Sequence, residues 1–119
     1  MSNNKHCIKG RIPFLFGFFD REITECHAYD VNDDHSLKFN IIEDSELIGL
    51  NLVEEYYMSN GLYHRDCKFG PARILYGNNE ILEQHFYKRG LLHNVLGYAK
   101  LNFKSHTKEY YIYGIKVYV

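Results

Sequence analysis

At 119 residues the chain has the size of one domain, long enough to bury roughly two-thirds of its unfolded surface. Eleven tyrosines and eight phenylalanines against two prolines favour an ordered β-rich fold and exclude a disordered chain. A net charge of −1 speaks against recognition driven by bulk charge, as in a general nucleic-acid binder.

The N-terminus Met1 to His6 has no apolar core of signal-peptide length behind it, and no apolar run approaches the roughly 18 residues that span a bilayer. A soluble, cytoplasmic protein is the expectation. Three cysteines, Cys7, Cys26 and Cys67, are an odd number without framework spacing, which predicts free thiols in a reducing compartment. Charge is unevenly spread: residues 1–60 carry eleven acidic and five basic side chains, residues 61–119 four acidic and nine basic. Such a split steers a partner to one end, or lets the two halves attract each other.

In chain order, Cys7 to Asp20 reads as a β-like run holding Pro13 and the cluster Phe14-Leu15-Phe16-Gly17-Phe18-Phe19. Both parities of that cluster are apolar, so it is a core strand or a homodimer contact. Ile23 to Val31 follows, then the turn-forming Asn32-Asp33-Asp34. Leu37, Phe39 and Ile41 alternate with Lys38 and Asn40, so Ile23–Val31 and Leu37–Ile42 are expected to pair as a hairpin. From Glu43 to Glu55 a helix could start at Ser45, yet Ile48, Leu50 and Leu52 alternate with Gly49 and Asn51. Strand is favoured there.

Two stretches downstream resemble each other. Gly61 is followed three positions on by His64, then by Gly70-Pro71-Ala72 and a strand; Gly90 is followed by His93, then by Gly97-Tyr98-Ala99 and a strand. Ala72, Ile74 and Tyr76 fall where Ala99, Leu101 and Phe103 fall, so the same positions point inward in each copy. Asn60-Gly61 is the strongest hairpin turn in the chain, because both central residues of a two-residue loop need positive φ. Arg89-Gly90 and Tyr113-Gly114 stand at the same point of the later copies. Each unit is a hairpin that cannot bury its own apolar face, so stacking makes the core and about seven to nine strands in a meander are expected.

The run Gly-X-X-His-Arg-Asp, then Gly-Pro-Ala, then a strand ending in tyrosine resembles the divergent MORN-type repeats of antitoxin-like, phage and large-virus proteins. The resemblance covers about Tyr56 to Val119. It implies an all-β, antiparallel meander of hairpin repeats over residues 54–119, with a β extension over residues 1–53, in a single domain 1–119. It also implies a protein that binds rather than transforms: a viral or phage inhibitor of a host defence protein, or an antitoxin or immunity-type protein acting inside the cell.

Three chemistries compete with that reading. His6-Cys7 and Cys26-His27 offer zinc-type ligands, but neighbours on a strand point to opposite faces and no CxxC pair supports them, so no metal or other cofactor is expected. His64-Arg65-Asp66 suggests a small His-dependent hydrolase. A turn whose side chains bond nearby backbone explains the same residues without a second catalytic partner. Lys88, Arg89, Lys100, Lys104, Lys108 and Lys116 interleave with tyrosines, as in a nucleic-acid-binding β module; tyrosines at alternating strand positions are more often stacking residues, which ranks this reading lower. The favoured reading is a non-catalytic module that binds another protein, with Tyr87, Lys88, Arg89, Tyr110 and Tyr113 as the partner-binding residues.

Overall fold

The computed structural model describes residues 4–12, 21–32, 39–43 and 49–118. The Phe14–Phe19 cluster, and with it the homodimer contact, lies outside these residues. Strand β1 (Asn4–Ile12) pairs antiparallel with β2 (Arg21–Ala28) on one side and with β3 (Asn51–Ser59) on the other. A four-residue helix α1 (Asn40–Glu43) lies between β2 and β3 in the sequence. Then come β4 (Leu62–Tyr63), β5 (Arg73–Gly77), β6 (Glu80–His85), β7 (Tyr87–Lys88), β8 (Leu91–Leu92), β9 (Lys100–Asn102), β10 (Thr107–Ile112) and β11 (Ile115–Val117).

Among the described residues nine strands form one antiparallel sheet in the order β11-β10-β9-β6-β5-β3-β1-β2, with β4 paired to β3; β7 and β8 form a separate small pair. From β3 onward each main strand neighbours the next in sequence, which is the expected meander. Only β1 departs from it, by inserting between β2 and β3. The result is a slab of 51 × 39 × 20 Å, and a sheet this thin has most of its polar and apolar side chains near a surface. Its best-buried cluster, Ile8, Phe39, Ile41 and Leu50, sits under β1, with Ile12, Ile23 and Leu52 packed against it. Gly10 is required there: a Cβ at that position would stand 2.5 Å from the Leu50 Cδ1.

Three expectations are corrected. First, β2 pairs with β1, and of the expected strand Leu37–Ile42 the residues Asn40 to Ile42 belong to a helix that runs to Glu43, while Leu37 and Lys38 lie outside the described part. The alternation of Phe39 and Ile41 does place both inward, but one helical turn does that as well as a strand. The turn is fixed from outside: the Glu25 carboxylate accepts the N–H groups of Asn40 and Ile41 at 3.0 and 3.1 Å, donors that a helix start leaves without intrahelical partners. Second, within Glu43–Glu55 the strand begins only at Asn51; residues 44–48 lie outside the described part. Third, Cys7 and Cys26 are not free thiols. They are direct register partners in the β1–β2 pair and form a disulfide with an S–S distance of 2.03 Å. Of the three cysteines only Cys67 is free, so the cysteine argument for a reducing compartment loses its basis. Among the described residues no helix is long and apolar enough to cross a membrane.

The same register sets His6 opposite His27. Both rings meet Phe39 edge-on, at 4.8 and 4.7 Å, and His6 also stacks on Tyr57 at 3.8 Å. Each imidazole is engaged by a carboxylate, His6 by Glu55 at 2.8 Å and His27 by Glu25 at 2.6 Å. Burial pushes the Glu55 carboxyl up, but bonding and charge from His6, with the Tyr76 hydroxyl and Arg65, outweigh it and hold the group below the usual carboxylate range.

Candidate interaction face

The turns Asn60-Gly61, Arg89-Gly90 and Tyr113-Gly114 share one geometry. Their φ pairs are 51 and 79°, 49 and 81°, and 46 and 81°, the double left-handed conformation of a type I′ hairpin. Asn accepts it readily; arginine and tyrosine pay about 1–2 kcal/mol for it. Something must hold Arg89 and Tyr113 there.

The preceding repeat does so. The backbone N–H of Arg89 donates to His64 Nδ1 at 3.0 Å, and that of Tyr113 donates to His93 Nδ1 at 2.9 Å. Next to these, Gly90 N–H reaches the Tyr63 carbonyl and Gly114 N–H the Leu92 carbonyl, both at 2.8 Å. The glycines close over leucines one repeat back: a Cβ on Gly90 would lie 3.3 Å from Leu62, and one on Gly114 3.3 Å from Leu91. The spacing of glycine and histidine seen in the sequence is therefore a latch between consecutive repeats. Backbone bonds repeat with it. Ala72 and Ala99, both fully buried, accept from Tyr57 and Phe86 at 2.8 and 2.7 Å and donate to His85 and Glu109 at 2.9 Å each.

A neutral imidazole that accepts at Nδ1 carries its proton on Nε2. Burial first, then the positive charges of Arg89 and Lys88, hold the His64 pKa below the ordinary histidine value, with Asp66 opposing them; burial and then Lys88 do the same to His93. The other two members of the His-Arg-Asp run also serve backbone. Arg65 donates to the Pro71 carbonyl at 3.1 Å, with its guanidinium carbon 3.8 Å from the centre of the Tyr57 ring. Gly70, at φ 133°, leaves room for it: a Cβ there would stand 2.8 Å from an Arg65 nitrogen. Asp66 accepts the Lys68 N–H at 3.1 Å and lies 3.8 Å from the Lys68 ammonium.

Of the five residues expected to bind a partner, the structure sets Lys88 and Tyr113 against each other, while Arg89 lines a different hollow with His64 and Leu62. Lys88 and Arg89 lead into the second turn and Tyr113 forms the third, with the Lys88 ammonium 5.5 Å from the Tyr113 ring centre and that ring 4.2 Å from His93. Tyr113 is 56% exposed. Tyr110 stacks on Tyr98 at 4.3 Å and lines a neighbouring hollow. Tyr87 is set apart, because it alternates with Lys88 on β7 and so faces the other way. There it joins a ladder with Tyr63, at 5.2 Å, which in turn meets Tyr56; Arg73 lies over the Tyr63 ring while bonding Glu54.

Hollows open between successive hairpins. The first, of 270 Å³, is lined by His64, Arg65, Asp66, Lys88, His93 and Tyr113 among others. The second, of 310 Å³, is lined by Asn94, Val95, Tyr110, Ile112 and Val117. Val95 borders both. Sequence reasoning named neither hollow, nor the contribution of His93, because both depend on how one repeat seats on the next. The visible signal was the recurring Gly-X-X-His spacing; the third unit carries Val117 at that position. Comparison of the chain with family models, curated proteins and solved structures gave no match.

Proposed function

We propose that the chain is a non-catalytic protein-binding module built of MORN-like hairpin repeats, whose turn row docks on an acidic surface of another protein. An inhibitor of a host defence protein, or an antitoxin or immunity-type protein acting in the cytoplasm, is the sharper form of this reading. It draws on the resemblance of the repeat motif. The observation that carries the module reading is the Lys88 ammonium set against the exposed Tyr113 ring, with the charges of both Lys88 and Arg89 acting on His64 at the second turn. Among the described residues neither cation forms an ion pair, so their charge is available to a partner, and tyrosine and arginine are the residue types that dominate interface energetics. The hydrolase alternative is weaker because a neutral His64 accepts at Nδ1 and carries its proton on Nε2, leaving no nitrogen to take a proton. The nucleic-acid alternative is weaker because the Tyr98 ring is taken up by Lys108 and by stacking on Tyr110, leaving it less open to bases.

The test is capture from lysate of the native host with the wild-type chain and with an Arg89→Glu/Tyr113→Ala double variant, both checked by thermal melting. A protein retained by the wild type and lost by an equally folded double variant supports the reading. Equal retention by both refutes the turn row as the docking face.

A further inference from the structure

The two hollows occupy equivalent places in consecutive repeats, yet their chemistry differs. Lys88 and His93 in the first correspond to Ile112 and Val117 in the second, so these two lining positions change from cationic and polar to apolar, while Val95 borders both hollows. Among the described residues Asp66 is the only acid lining the first hollow, and that carboxylate already serves the Lys68 N–H and ammonium. Because Nδ1 of His64 and of His93 is occupied by backbone, the N–H left on each ring is a hydrogen-bond donor. The hollow therefore offers the Lys88 charge and two ring donors, a set suited to a carboxylate. In the second, Val95, Ile112 and Val117 are 66, 37 and 42% exposed, a contiguous apolar lining with Tyr110 beside it.

We propose that this bipartite groove binds an extended peptide segment of the partner, an Asp or Glu side chain entering the first hollow and an aliphatic side chain a few residues away entering the second. The inference rests on the protein-binding reading and names the recognition element within it. An extended segment suits the site because alternate side chains of such a peptide fill successive pockets. Charge in the first hollow sets register, and burial in the second supplies hydrophobic affinity.

The experiment is panning of a random heptapeptide phage library against the full chain, followed by affinity measurement with the enriched peptides made synthetically. The expected result is enrichment of an acidic residue within a few positions of Leu, Ile or Val. Replacing that acid by its amide should weaken binding about tenfold or more. Lys88→Glu should weaken the acidic peptides and accept versions carrying Lys in place of the acid, while Val95→Asp, at an exposed position, should weaken all of them; melting curves control for folding. Enrichment without an acidic residue, indifference of the acidic peptides to Lys88→Glu, or no enrichment at all overturns the groove. These outcomes differ from failure of the module reading, which is read by host-protein capture with Arg89→Glu alone, a residue that lines neither hollow, and with Lys88, Val95 and Tyr113 intact.

Discussion

At the scale of single residues, His64 and His93 act as acceptors for strained turns rather than as free imidazoles. Removing the ring leaves a turn N–H without its partner, so His64→Ala should cost about 1–2 kcal/mol in chemical denaturation. His93→Ala should cost more, since His93 is buried and also packs on Tyr113. A His64→Ala variant with unchanged stability and abolished biological effect would instead bring the hydrolase reading forward. The same contacts set a pH dependence. His64, His85 and His93 all have pKa values lowered in the fold, burial being the first cause in each. The folded state therefore holds fewer protons than the unfolded chain once the pH drops below about 6.5. Stability should be complete above that pH and decline as the pH falls toward the depressed folded values, before the carboxylates begin to titrate near about 4. Melting temperatures between pH 7.5 and 5 should show this decline, and a His64→Ala/His93→Ala variant should show less of it; a flat wild-type profile would contradict the latch.

At the scale of elements, the hairpin turns were legible in the sequence and the N-terminal pairing was not. Asn60-Gly61 announces its conformation through residue type, and Arg89-Gly90 and Tyr113-Gly114 were found by their position in the repeat although Arg and Tyr disfavour positive φ. The β1–β2 pair, by contrast, joins segments whose own patterns say nothing about each other, and the helical turn at Asn40 depends on a carboxylate, Glu25, fifteen residues away. Likewise the disulfide is a consequence of register: Cys7 and Cys26 read as unrelated thiols until β1 and β2 are aligned. Two expectations follow. Gly61→Val should destabilise by about 1–3 kcal/mol through backbone strain alone, because nothing lies within 4 Å of a Cβ there, whereas Gly90→Val adds a clash with Leu62 and should cost more; equal melting temperatures for the two would argue against the docking of the second turn on the first repeat. Reduction of the Cys7–Cys26 bond, which spans a sequence separation of 19, should lower stability by about 3 kcal/mol. Denaturation curves with and without reductant measure it.

At the scale of the whole molecule, part of the charge split is neutralised inside the fold and part remains for a partner. Glu54 and Glu55 of the acidic half meet Arg73 and Tyr76 of the basic half where β3 adjoins β5. Lys88 and Arg89, at the turn row, have no such internal counterpart among the described residues. The sequence separated these two outcomes poorly, since it showed the imbalance but not which cations the sheet would pair. The central claim is that the turn row, rather than the Phe14–Phe19 cluster, meets the partner. Association kinetics of the captured partner with wild type, Arg89→Glu and Phe16→Ser at two ionic strengths test it most directly. The account expects Arg89→Glu to slow association and flatten its salt dependence while folding is retained, with Phe16→Ser near wild type; loss of binding only in Phe16→Ser, with no salt effect in any variant, would contradict it.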